Sequence, residues 1–199
     1  MELDAEVAAA EKQKTGIPEH GLKFCKKLEV LYLFENRISH VSETMLNFKK
    51  LTRLYIYDNC ITKMENFENL VNLQRLYLDR NMIRRLEGLQ NCPRLEELTL
   101  QDQRLPRTAD FTFDDYSLAS IAGSLYNLNL ANNQVIQCKQ LFYCDRLETL
   151  DLRGNLIQDL QEELMPLLST MRGLTKLDMR ENPVVRNAKY REQVIMTAR

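Results

Sequence analysis

Three observations predict an α/β solenoid, with a curved parallel β-sheet on its concave face and short helices and turns on its convex face. The first is a pattern, L-x-x-L-x-L-x-x-N-x-I, clearest in Leu73-Gln-Arg-Leu-Tyr-Leu-Asp-Arg-Asn81-Met-Ile83 and recurring along almost the whole chain. The second is its period, with steps of 23, 22, 22, 30, 22 and 27 residues between successive first leucines. The third is an apolar column six residues upstream of each first Leu, formed by Leu22, Met45, Phe67, Leu89, Ala119, Leu141 and Leu168. A unit this short cannot bury its apolar face alone, so copies must stack, and the stack leaves one open curved surface.

Units of this form are leucine-rich repeats, and seven can be aligned. Their three leading apolar residues are Leu28, Leu31 and Leu33; Leu51, Leu54 and Ile56; Leu73, Leu76 and Leu78; and Leu95, Leu98 and Leu100. Then come Leu125, Leu128 and Leu130; Leu147, Leu150 and Leu152; and Leu174, Leu177 and Met179. Side chains alternate along a short strand, so the second and third members point into the coil and the residues around them face out. The Asn follows where the chain leaves the strand, and its amide can bond the unpaired backbone of the turns and stack into a ladder. The fourth copy carries Gln103 at this place. The arrangement predicts one domain over 1–199, with an N-terminal cap over 1–24, repeats over 25–183 and a partial C-terminal cap over 184–199.

The flanks and insertions follow from local signals. Residues 2–14 read as a short helix ended by Gly16 and Pro18, which either caps the first repeat or is an unstructured tail. The eight extra residues of the 30-residue step lie between Gln103 and Leu125. They contain Pro106, Phe111, Phe113 and Tyr116, followed by a helical stretch from Ser117 capped by Asp114 or Asp115. This insertion bulges from the outer side or a sheet edge, its aromatics tucked back or forming a secondary contact site. Asp159 with Glu162 predicts a capped, longer helix bent near Pro166. Asn182-Pro183 predicts a turn, and Tyr190, Val194 and Ile195 a helix closing the far end. The chain stops at Arg199, before a complete cap, leaving room for a continuation.

Composition narrows the function classes. Of 199 residues 44% are hydrophobic, and 27 Lys plus Arg against 28 Asp plus Glu leave a formal charge of -1. No global field therefore favours nucleic acid or an anionic membrane. No apolar run approaches ~18 residues and the first residues lack a signal-peptide pattern, which together predict a soluble, cytoplasmic chain. Cys25, Cys92 and Cys144 share a column with Phe48, Leu70, Ala122 and Met171 and read as small buried hydrophobes rather than reactive or metal-binding thiols. The two histidines, His20 and His40, lie outside the repeat strands. Carboxylate pairs such as Glu162-Glu163 read as solvated charge. No catalytic constellation, metal site or cofactor motif is found, so the chain reads as a non-enzyme.

The outward strand positions carry the functional signal. Between the second and third leucines stand Tyr32, Tyr55, Tyr77, Thr99, Asn129, Asp151 and Asp178; after the third stand Phe34, Tyr57, Asp79, Gln101, Ala131, Arg153 and Arg180. Before the second stand Val30, Arg53, Arg75, Glu97, Asn127, Thr149 and Lys176. The candidate partner-binding residues are thus Tyr32, Phe34, Arg53, Tyr55, Tyr57, Arg75, Tyr77 and Asp79, with Glu97 and Gln101 where aromatics give way to polar residues. Aromatics with Arg on a rigid face are the composition of protein-binding hot spots. The alternative is that tyrosines suit strands and merely stack on one another.

The period and the stretches LYIYDNCITKMENF and LYLDRNMIRRLEGL resemble the leucine-rich-repeat class that regulates protein phosphatase 1. Gln101-Asp-Gln103-Arg-Leu-Pro106, the insertion after it, Ser124 to Asn133, Asn182-Pro-Val and Tyr190-Arg191 resemble the testis leucine-rich-repeat family within it, that of regulatory subunit 42. The resemblance spans roughly 28–195. It implies binding of the phosphatase catalytic subunit through the concave face and association with microtubules and the centrosome. No [RK]-V-x-F docking motif is present, so the repeat surface itself would make the contact. An alternative is a cytoskeletal adaptor binding tubulin or an axonemal or motor component through the basic C-terminal residues Arg186, Lys189, Arg191 and Arg199.

Overall fold

The structure is a computed structural model that describes Leu22 and residues 24–197. The expected helix over 2–14, His20 and Arg199 lie outside the described residues. Seven three-residue strands form one parallel sheet in the order β1 (Val30–Tyr32), β2 (Arg53–Tyr55), β3 (Arg75–Tyr77), β5 (Glu97–Thr99), β7 (Asn127–Asn129), β8 (Thr149–Asp151) and β9 (Lys176–Asp178). Their register places the second leucines side by side, Leu31, Leu54, Leu76, Leu98, Leu128, Leu150 and Leu177. All but Leu177 are buried, and the residues on either side face outward. The last repeat has no further coil packed over it among the described residues, and its Leu174 and Leu177 remain partly exposed.

The polar ladder forms. Asn59, Asn81, Gln103, Asn133, Asn155 and Asn182 are all buried. The Asn81 amide donates to Leu78 O of its own coil at 2.9 Å and to Ile56 O of the preceding one at 3.1 Å, while its oxygen accepts from Ile61 N at 3.0 Å. Asn155 and Asn182 repeat this scheme. Gln103 reproduces it with one more methylene, bonding Leu78 O and Leu100 O and accepting from Ile83 N. The residue before each ladder position adopts a left-handed backbone, Glu35, Asp58, Arg80, Asp102, Asn132, Gly154 and Glu181, with φ between 52° and 67°. This turn aims each amide inward.

Elsewhere the convex side is economical. It uses single 3-10 turns, Glu43–Asn47 and Lys139–Tyr143, and irregular turns in the 22-residue coils between β2 and β5. The insertion stays on the coil: Phe111 and Phe113 are buried against each other, edge to face at 5.7 Å, and β6 (Thr112–Phe113) pairs in parallel with β4 (Arg85–Leu86). Phe111 also bridges to Val135. Two of the three aromatics therefore tuck back, whereas Tyr116 is 79% exposed. The helix Asp115–Ile121 follows with Asp114 as its cap, accepting from Ser117 N at 2.9 Å.

Three expectations are corrected. Ala119 is exposed, because the insertion helix turns Leu118 and Ile121, three apart on one face, into the core. Cys25 is exposed, since no earlier described coil packs over it, whereas Cys92 and Cys144 are buried and burial pushes both thiols up to about 12. Glu163 is not solvated charge: it is buried and its carboxylate accepts from Cys138 N at 2.7 Å and Lys139 N at 2.9 Å, capping the 3-10 turn of the preceding coil. It reaches there because Leu160–Leu164 forms a wide π turn, closed by Met165 N to Leu160 O, ahead of the helix Met165–Thr170. The register changes just before Pro166, which has no N–H to donate. Asp159 caps this segment as expected, accepting from Gln161 N and Glu162 N.

At the far end, Tyr190–Thr197 is helical and lays Tyr190 and Val194 against the core, with Ile195 exposed.

Two substitutions check the ladder and the close approach of neighbouring coils. Asn81→Ala strands the buried Ile61 N–H, while Ile56 O and Leu78 O keep Asn59 and Gln103 as donors, and is expected to lower unfolding free energy in urea by about 1–3 kcal/mol. Gly88→Ala is expected to cost about 2 kcal/mol or more, since φ is +76° and an added Cβ would stand 2.4 Å from the Met64 carbonyl oxygen.

Candidate functional site: the aromatic half of the sheet

Parallel strands run about 4.8 Å apart, so identical side chains in register are held near the contact distance of aromatic rings. Tyr32 and Tyr55 stack at 4.7 Å with planes 18° apart, Tyr55 and Tyr77 at 4.6 Å and 6°, and Phe34 and Tyr57 at 4.7 Å and 0°. Tyr32 also meets Phe34 edge to face at 6.2 Å. All five rings are half-buried. The sheet brings them together as two adjacent ladders, presenting ring edges and hydroxyls outward.

Arg53 and Arg75 flank the tyrosine ladder. Arg53 is exposed, while Arg75 leans towards Glu97, 3.6 Å between Nε and the carboxylate. Burial, and then the nearby Glu97 carboxylate, push the Tyr77 phenol well above its ordinary range. Asp79, by contrast, is turned into the sheet. Its carboxylate accepts from the Thr99 hydroxyl at 2.6 Å and from Gln101 N at 2.9 Å, and burial raises its pKa. Gln101 passes the pattern on, accepting from Asn129 at 2.9 Å. Beyond it Asn129, Asp151 and Asp178 each accept from the amide two residues later, so the second half of the face is polar and its acceptors are tied to its own backbone.

The left-handed turn adds residues that reading single repeats misses. Arg80 clasps Asp58 in the preceding coil with two bonds, 2.7 and 2.5 Å, and lies 5.7 Å from the Tyr57 ring centre. Arg104 in turn bonds the carbonyls of Arg80 and Asn59. The Arg80 hydrogen bond lowers the Asp58 pKa. The signal lies in comparing the residue before each ladder position across coils, where Asp58, Arg80 and Asp102 alternate in charge. Among the described residues, no group of three or more His, Cys, Asp or Glu side chains could hold a metal ion, and no helix is long and apolar enough to cross a membrane.

Asp58 and Asp79 give pH effects of opposite sign. The folded-state pKa of Asp58 is depressed, so its contribution is present above the ordinary aspartate value near ~4 and is lost as pH falls through the folded value. That of Asp79 is raised, so its contribution is present below ~4 and is lost as pH rises through the folded value. Urea midpoints measured across the acid range are expected to flatten on the acid side in Asp58→Asn. In Asp79→Asn they are expected to lose the decline towards neutral pH.

The sequence pattern of the family described as Leucine rich repeat matches residues 26–83 and 49–105. Among solved structures, a leucine-rich-repeat protein of Leptospira interrogans superposes with a TM-score of 0.77 at 21% identity, over 91% of this chain and 44% of that one. TLR13 in complex with ssRNA13 superposes with a TM-score of 0.63 at 23% identity, over 79% of this chain and 22% of that one. The chain therefore spans less than half the length of these two proteins, and the likeness is one of fold. The repeat motif, the ladder and these matches agree on the architecture: the chain has the leucine-rich-repeat fold.

Proposed function

We propose that this protein is a non-catalytic protein–protein interaction module whose partner docks on the aromatic half of the concave sheet, β1 to β3. The observation that carries the reading is the pair of stacked aromatic ladders beside Arg53 and Arg75 on a face whose backbone is held by the buried amides. The rings are pre-ordered by their own stacking, so a partner that covers them meets little further loss of side-chain freedom. That they stack on one another, as strand propensity alone would have it, is thus compatible with binding rather than opposed to it.

For the partner, the resemblance to the phosphatase-regulating repeat class and to its testis family supports the catalytic subunit of protein phosphatase 1. A second reading, a microtubule, centrosomal or axonemal adaptor in the cytoplasm, has a separate support. Arg186, Lys189 and Arg191 are exposed at the far end of the solenoid, away from the aromatic strands, where acidic surfaces such as that of tubulin could be met.

Tyr55→Ala removes the ring shared by two stacked pairs, and with Tyr77→Ala it is expected to weaken capture of the purified phosphatase catalytic subunit by roughly tenfold to a hundredfold. The melting midpoint should fall only modestly and the circular dichroism spectrum should be retained. Unchanged capture would remove the aromatic half as the docking face. Arg186→Glu with Arg191→Glu should leave phosphatase capture intact and abolish microtubule co-sedimentation if the second reading holds.

A further inference from the structure

The aromatic half is unbalanced in hydrogen-bond donors and acceptors. The outward positions of β1 to β3 are Val30, Tyr32, Arg53, Tyr55, Arg75 and Tyr77, none of them acidic. Of the carboxylates around this face, Asp79 is occupied by Thr99 and the Gln101 amide, Asp58 is clasped by Arg80, and Glu97 on the next strand faces Arg75. Arg53 is exposed, and among the described residues no carboxylate reaches it. Its neighbours in register are Val30 and Arg75. The ring faces are largely consumed within the ladders, which leaves ring edges, the positive rim of the quadrupole, and phenol hydroxyls for a partner. Guanidinium, hydroxyl and ring edge all favour anionic oxygen.

We propose that the face of β1 to β3 takes an acidic segment of a partner protein with interspersed apolar side chains. Its carboxylates meet Arg53, with Arg75, already shared with Glu97, beside it, and its apolar groups lie across the edges of Tyr32 and Tyr55. This rests on the reading of the sheet as a protein-docking face and adds the chemical class of what docks. A single-stranded nucleic acid fits less well. Its bases need open ring faces to stack on, which the ladders have used, and its phosphates need a run of cations, whereas the row beyond Arg75 continues with Glu97 and Asn127.

The test uses the full chain and fluorescence anisotropy with a labelled extended peptide alternating glutamate with leucine. Companion probes carry glutamine or lysine in place of glutamate, and a fourth is an oligouridylate. The glutamate peptide should bind about tenfold or more tightly than the glutamine peptide, and more weakly as salt rises. Arg53→Glu should abolish that preference and confer binding of the lysine peptide. Arg53 is exposed and makes no ion pair among the described residues, so the urea midpoint should stay put; Arg53→Gln serves as a second variant in case the reversed charge perturbs folding. Equal binding of the glutamate and glutamine peptides, insensitivity to both Arg53 substitutions, or preferential binding of the oligouridylate would overturn the proposal. Capture of the phosphatase catalytic subunit separates this from the broader reading. Capture lost in Tyr55→Ala but kept in Arg53→Glu overturns the acidic class and leaves the docking face standing, whereas capture kept in both removes the face itself.

Discussion

From the second repeat on, each coil of this protein is tied to the one before it by a buried carboxamide. Asn59, Asn81, Asn155 and Asn182 each donate to a carbonyl of their own coil and to one of the preceding coil, and accept an amide of that preceding coil. Leaving any of these groups unpaired in the apolar interior would cost more than the bond contributes when made. The ladder therefore acts less as a reservoir of attraction than as a condition on spacing. Gln103 shows that the requirement is for an amide within reach rather than for one residue type, and it stands where the chain departs into the insertion.

That condition reaches the surface. Coils fixed at strand spacing place Tyr32, Tyr55 and Tyr77 at stacking distance, and Phe34 with Tyr57 likewise. Stacking then decides what chemistry remains, namely edges and hydroxyls beside two guanidiniums. On the next strands the same spacing aligns Asp79 with Thr99 and Gln101 with Asn129, so polarity there is spent within the sheet. One geometric repeat thus yields a face with an aromatic half and a polar half whose acceptors turn back on the sheet.

Much of this was legible in the sequence because it depends on residues repeating at one period. The leucine columns, the amide ladder, the grouping of aromatics and the Asp114 cap all follow from position within a repeat. What escaped depends on interruptions and on neighbours in other coils. Ala119 falls in its column by count, yet the insertion helix rotates Leu118 and Ile121 inward instead. Glu163 becomes an interior cap only because a π turn carries it over the preceding coil, a widening that spacing alone does not announce. The Arg80–Asp58 clasp needs two coils compared at their left-handed turns, and the inward turn of Asp79 needs Thr99 from the next strand.

The central claim is that partners meet the aromatic half of the sheet rather than the convex side, where Tyr116 and the stacked pair Phe142 and Tyr143 are also exposed. Hydroxyl-radical footprinting of the tyrosines, with and without the purified phosphatase catalytic subunit, separates the two surfaces directly. Protection of Tyr32, Tyr55 and Tyr77, with Tyr116 and Tyr143 as reactive as before, is the result this account predicts; protection confined to Tyr116 and Tyr143 would contradict it.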